Sequence, residues 1–169
     1  MTARDEIEAN KPTDERLLKD RIYEGENGCS VIEFPTYKDV MADMGYLDDD
    51  QLRALDDYSL WRYIGLRHLD YKTPRVGELA REIGVDVEDI PSMRDGYRHC
   101  SRHLSFADQK TLNLIIMDVA VTDNILAIRY AMTALVGEVD RAATNLVKAM
   151  KVFHDERKEL QRSREACYI

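Results

Sequence analysis

The chain has 169 residues, 44% hydrophobic and 33% charged, and a net charge of −8. That length and apolar content suffice for a packed core in one domain or two small ones, and they exclude a wholly disordered chain. The acidic balance excludes a protein that coats nucleic acid indiscriminately, and 8 Gly with 4 Pro are too few for a loop-rich β protein.

The charge is uneven. Acids concentrate in residues 1–91, whereas residues 92–169 are mildly basic, so the halves can face different partners or each other. Cys29, Cys100 and Cys167 are odd in number, far apart and without a C-x-x-C pair. This spacing indicates free thiols in a reducing, cytoplasmic compartment. The opening MTARDEIEANK lacks the apolar centre of a secretory leader.

In chain order, Pro12–Glu15 reads as a helix start, with a short helix to Tyr23 ended by Gly25–Gly28. Cys29–Phe34 reads as a short extended segment stopped by Pro35. Thr36 then caps a helix to Met44, with Asp39 completing a capping box and Gly45 closing it. Asp49 or Asp50 is expected to cap Gln51–Tyr58, and Ser59–Tyr71 follows as a separate helix. That segment mixes Trp61, Tyr63 and Tyr71 with Arg62, Arg67 and His68, which reads as core rings covered by arginine stems.

Residues 73–93, TPRVGELAREIGVDVEDIPSM, form the one motif. Thr73 caps, Pro74 occupies the first turn, and Arg75–Ile83 ends at Gly84, where a left-handed residue costs little. Asp86 is expected to cap a second helix, with Pro91 inside it. Ala80 is small where the second helix must approach. Leu79, Ile83, Val85, Ile90 and Met93 are apolar where the helices share a core. The pattern T-P-x-x-x-E-L-A-x-x-x-G-V-x-V-E-D-I resembles the helix-turn-helix of bacterial and phage regulators. It also looks like the helical repeat in the third region of primary sigma factors. The resemblance implies that the second helix enters the major groove of DNA, with Val87, Glu88, Pro91, Ser92, Arg94 and Asp95 near base edges. The acids Asp86, Glu88 and Asp89 depart from that pattern, since phosphates repel them.

Past the motif, Arg94, Arg98 and Arg102 recur every four residues, with His99 and His103 beside them. On a helix this is a basic stripe. Arg94, Arg98, His99 and Arg102 are therefore the candidate nucleic-acid contacts, of the phosphate-positioning kind. His99 and His103 share the spacing of some zinc helices, but Cys100 points elsewhere and arginines crowd the pair, so no metal is assigned.

Thr111–Val136 is the most apolar stretch, with Asp118, Asp123 and Arg129 its charges. It reads as one helix buried on several sides, and its charges rule out a membrane span. Leu114, Met117, Val121, Asn124, Ile128 and Leu135 step along it by threes and fours, with Asn124 as the polar member that sets register. Beyond Gly137 the phase shifts to Val139, Leu146, Met150 and Phe153. These ten residues are the candidate oligomer interface. Gly137 either kinks one helix of about 50 residues or closes a hairpin, and the absence of turn residues favours the long helix. A rod that long needs a second chain, which implies a homodimer.

The expected fold is all-α in three parts: an acidic helical region 1–57, a helix-turn-helix-like module 58–104, and a long-helix core and oligomerisation region 105–169. No phosphate loop, nucleophile elbow or Glu-x-x-His pair occurs. The sequence therefore points to a non-enzymatic regulator without cofactor, cytoplasmic and off the membrane. It would bind duplex DNA or a transcription complex and dimerise, coiled-coil fashion, through its C-terminal helices. The alternative is an all-helical structural or adaptor subunit of a larger protein assembly with no nucleic-acid contact.

Overall fold

The structure is a computed structural model, and it describes residues 21–24, 30–33, 35–67, 75–119 and 124–168. The fold is all-α in character, with one two-stranded hairpin. In chain order the elements are β1 (Arg21–Glu24), β2 (Ser30–Glu33), α1 (Tyr37–Asp43), α2 (Asp49–Leu66), α3 (Arg75–Ile83), α4 (Ile90–His103), α5 (Phe106–Ile115) and α6 (Ile125–Cys167). Among the described residues, no helix is long and apolar enough to cross a membrane.

The chain forms two compact units that interleave along the sequence. One comprises Met1–Tyr46 with Ile115–Val136, the other Leu47–Leu114 with Gly137–Ile169. They do not follow the three consecutive segments expected above, because α6 contributes residues 125–136 to the first unit and 137–167 to the second.

In the first unit, β1 and β2 pair antiparallel, with Arg21 opposite Glu33 and Glu24 opposite Ser30. The expected helix to Tyr23 is thus replaced by strand from Arg21 onward, and Pro12–Asp20 lies outside the described residues. The extended segment at Ser30–Glu33 does find a partner strand. Thr36 caps α1 as its sequence requires: the Asp39 amide donates to Thr36 Oγ1 at 3.2 Å, and the Thr36 amide donates to the Asp39 carboxylate at 2.8 Å. Gly45 closes the helix at φ 76°, a conformation that glycine adopts without steric cost.

The expected single helix over 111–136 is interrupted. After α5 the backbone leaves the helical path and runs beside the entry to α1. The Val119 amide donates to Pro35 O at 2.8 Å, and the Tyr37 amide to Met117 O at 3.1 Å. Residues 116–119 therefore satisfy backbone groups of another segment instead of their own helix. Helix resumes at Ile125 because Asn124 is a cap: its Oδ1 accepts the Leu126 amide at 2.9 Å. Asn124 is exposed and no polar member of a buried seam. Buried side chains of this unit include Val40, Met41, Val119, Ile128 and Met132.

In the second unit, Asp48, one residue ahead of the expected Asp49 or Asp50, caps α2 in a reciprocal box with Gln51. Gln51 is itself buried, and its amide donates to Asp140 at 2.9 Å and Thr144 at 3.3 Å on α6. The expected break at Ser59 does not occur. Ala54, Leu55, Tyr58, Trp61 and Ile64 hold one buried phase, so α2 continues to Leu66. Gly84 turns the chain after α3 at φ 76°, as expected. Asp86 makes no side-chain cap; a 3-10 turn over Val87–Asp89 precedes α4 instead. Pro91 therefore sits in the first turn of α4, where its missing N–H breaks no helical bond. Ile64, Val76, Ala80 and Ile90 pack as one cluster, joined by Leu60, Ile83, Val85 and Met93.

Two glycines let α2 and α4 touch. A Cβ on Gly96 would stand 2.6 Å from the Trp61 ring, and one on Gly65 would strike the Tyr97 ring. The far side of Trp61 meets Phe153 of α6 edge-on, with centroids 5.6 Å apart. At Gly137 the helix continues, so α6 is a single helix of 43 residues and no hairpin forms.

Candidate interaction surface

The face of α4 that meets α2 carries Ile90, Gly96 and Cys100, all buried. Arg94, Arg98 and Arg102 lie away from it, Arg94 half-buried and the other two exposed. The tip where the resemblance expects base contacts is acidic instead: Asp86, Glu88, Asp89 and Pro91 are all exposed.

The flank of α4 next to the arginines is committed to α6. His99 is mostly buried, and its Nε2 donates to Ala149 O, an obligate acceptor, at 3.0 Å. Its ring stacks on His103 at 3.9 Å, and His103 Nδ1 donates back to His99 O at 2.9 Å. Burial pulls the His99 imidazole below the ordinary histidine range, and neighbouring His103 pulls it further. Asp95 pairs with Arg157 at 2.9 Å, and Arg157 lies over the Phe153 ring. The basic stripe thus reduces to Arg98 and Arg102 at the surface, with His99 serving as a packing and hydrogen-bonding residue. Cys100 is fully buried, which pushes its thiol up to about 12. Such a thiol is inert. Among the described residues, no group of three or more His, Cys, Asp or Glu side chains is placed to hold a metal ion.

A second buried lock sits at the start of α5. Asp108 accepts from Asn145 Nδ2 at 2.8 Å and Arg141 Nε at 3.2 Å, both on α6. Burial acts to raise its carboxyl, but the bonds from Asn145, Arg141 and Ser105 outweigh it and hold the group below the usual carboxylate range. These bonds tie the start of α5 to α6.

The ten expected interface residues divide sharply. Val139, Leu146, Met150 and Phe153 are buried by their own chain, as is Ile128. Leu135 is half-buried, Asn124 is a cap, Leu114 and Met117 are exposed, and Val121 lies outside the described residues. The apolar residues left uncovered in the first turns of α6 are different ones. Leu126 is 66% exposed and Tyr130 82% exposed. Ala127, Ala131 and Ala134 around them are exposed as well.

These five positions fall at i, i+1, i+4, i+5 and i+8, so they share one face of a helix. Ile128 and Met132 bury the opposite face. Arg129, the charged residue of residues 124–136, is half-buried and off this face. The result is a continuous uncharged patch, unlike the scattered single hydrophobes common on any surface. The signal that could have located it is Val-Thr-Asp-Asn at 121–124, a capping sequence. It restarts the helical phase at Ile125 and sets Leu126 and Tyr130 opposite the buried row.

No protein-family model, characterised protein or solved structure matches the chain.

Proposed function

We propose that the chain is a non-enzymatic, all-helical subunit that works by association with protein, through the uncharged face of α6 made by Leu126, Ala127, Tyr130, Ala131 and Ala134. The observation that carries this reading is the exposure of Leu126 and Tyr130, one turn apart, on a helix whose opposite face is buried. A patch of that kind is covered in the working state of a protein, because leaving a large side chain in water forgoes about 1.5–3 kcal/mol of burial. In-cell photocrosslinking tests it. A photoreactive residue replacing Tyr130 is expected to give adducts of higher mass, whereas one replacing exposed Glu82 on α3 gives none. Equal or absent adducts at both positions sink the reading.

A second reading is a helix-turn-helix regulator that holds duplex DNA by its backbone, favoured by the exposure of Arg98 and Arg102 on one face of α4. Two exposed arginines neutralise about two phosphates, against roughly six to ten for a firm complex. The exposed acids at the tip oppose even that. The outcome that would restore this reading is a salt-sensitive gel shift at low ionic strength that is lost in Arg98→Ala/Arg102→Ala.

A further inference from the structure

We infer that the stacked pair of His99 and His103 is a proton-operated latch. Neutral, it holds the end of α6 beyond Ala149 against α4; charged, it releases that end. The inference concerns regulation and stands apart from the association reading above.

Geometry makes the latch. His99 projects from α4, mostly buried, and its Nε2 donates to Ala149 O of α6 at 3.0 Å. That bond fixes the tautomer, so Nδ1 carries the lone pair and an incoming proton must land there. Nδ1 looks toward Glu156 Oε2 at 3.9 Å, too far for a hydrogen bond. The new N–H therefore lacks an acceptor in the closed arrangement. His103 covers the ring of His99, stacked at 3.9 Å with planes 21° apart. Such a stack suits neutral rings, whereas two imidazolium rings at that distance are too close for water to screen them.

The surrounding charges favour the neutral form. On α4, Arg102 adds to the repulsion, and Asp95 is committed to Arg157. From α6, Glu156 attracts, but it is 61% exposed and screened by solvent. Arg157 lies over the Phe153 ring, which packs 5.4 Å from His99 and beside His154. From α2, Trp61 meets Phe153 and His154, and Asp57 faces His154. From α5, only the neutral Gln109 amide reaches the last turn of α4. Burial and then His103 outweigh the one exposed carboxylate, and they hold the His99 imidazole below the ordinary histidine range.

Only one end of this stretch is free to open. At its start, Arg141 and Asn145 donate to Asp108, whose carboxyl sits below the usual carboxylate range. Gln51 donates to Thr144 beside them. These bonds persist in mild acid. Past the latch, the exposed Asp95–Arg157 pair contributes little, and residues 158–168 are exposed on every side. Burial of Trp61 and Phe153 resists release, so the proton sets how often the end opens. One proton taken up by the open form alone raises its population by up to about tenfold between about pH 7.5 and about pH 5.5.

Hydrogen exchange of the full chain, followed by NMR and corrected for the intrinsic rate at each pH, is the test. Over that range, protection at the amides of Val152, Phe153 and Glu156 is expected to fall by about three- to tenfold, while protection at Arg141–Asn145 holds. His99→Gln keeps a donor for Ala149 O without a titrating ring, and it is expected to abolish the fall. His103→Gln, at an exposed position, is expected to lessen it, and it decides the matter should His99→Gln misfold. Protection indifferent to pH, an equal fall in both stretches, a fall that persists in a folded His99→Gln, or one undiminished in His103→Gln would each overturn the inference.

Discussion

Gly96→Ala isolates the contact that fixes α2 against α4. In a helix interior, alanine is favoured over glycine by about 0.8–1.0 kcal/mol, so on propensity alone the change stabilises. At Gly96 the new methyl would lie 2.6 and 2.7 Å from two ring carbons of Trp61. The ring cannot simply swing away. Phe153 and His154 meet it edge-on, with centroids at 5.6 and 5.9 Å. Moving it forfeits aromatic contacts of about 0.5–1.5 kcal/mol each and overpacks the site by roughly 1–3 kcal/mol. The net expectation is a loss of about 1–5 kcal/mol after the propensity gain is subtracted. Gly77→Ala is the control. It lies in the first turn of α3 with nothing within 4 Å of the new methyl, so it should gain up to about 0.5–1 kcal/mol. Urea unfolding followed by circular dichroism and by fluorescence of Trp61, the chain's one tryptophan, measures both. If Gly96→Ala proved as stabilising as Gly77→Ala, the close approach of α2 and α4 would be wrong. Partial rescue of Gly96→Ala by Trp61→Phe would localise the strain to that ring.

Asp108→Ala should cost about 1–2 kcal/mol, because it removes a buried carboxylate that accepts from Asn145 and Arg141 and leaves the part-buried Asn145 amide without that acceptor. Since the folded pKa of Asp108 is lowered, its contribution is present above the unfolded carboxylate value and is lost as pH falls through the folded one. Acid titrations of the wild type and Asp108→Asn should therefore converge at the acid end, and a constant gap at all pH values would contradict this. His99 follows the same sign in a higher pH window. Its folded pKa is lowered, so the unfolded chain takes up the proton first. Its contribution is whole above the ordinary histidine value and erodes as pH falls below it. His99→Gln should flatten stability between neutral and mildly acidic pH in urea midpoints, and an unchanged slope counts against the buried histidine. Asn124→Ala should cost about 1 kcal/mol locally by removing the cap of α6. Hydrogen exchange at the amides of Leu126 and Ile128 should quicken while those of Leu146 and Met150 stay as they were.

Local chemistry in the sequence determined the all-α character, the capped helix after Thr36, the turns at Gly45 and Gly84, and the apolar partners Ile83, Val85, Ile90 and Met93. Each of these depends on residues within a few positions of one another: a hydroxyl reaching an amide three residues on, or a glycine where φ must be positive. The buried phase of Val139, Leu146, Met150 and Phe153 was legible for the same reason. What covers that phase was not legible, because periodicity shows which face must leave water and not whether the cover is the same chain or another. Only the tertiary structure decided that the same chain buries it, with Trp61 of α2 and His99 of α4 meeting the Phe153 ring. It also decided that Met117–Val119 give up helix to bond Pro35 and Tyr37, a pairing about 80 residues apart in sequence that no local signal carries. With that break, Asn124 changed from a seam residue to a cap, and the uncovered apolar face moved to Leu126 and Tyr130. A backbone bond between distant segments outweighs helix propensity of a few tenths of a kcal/mol per residue, and such bonds exist only once the chain has folded.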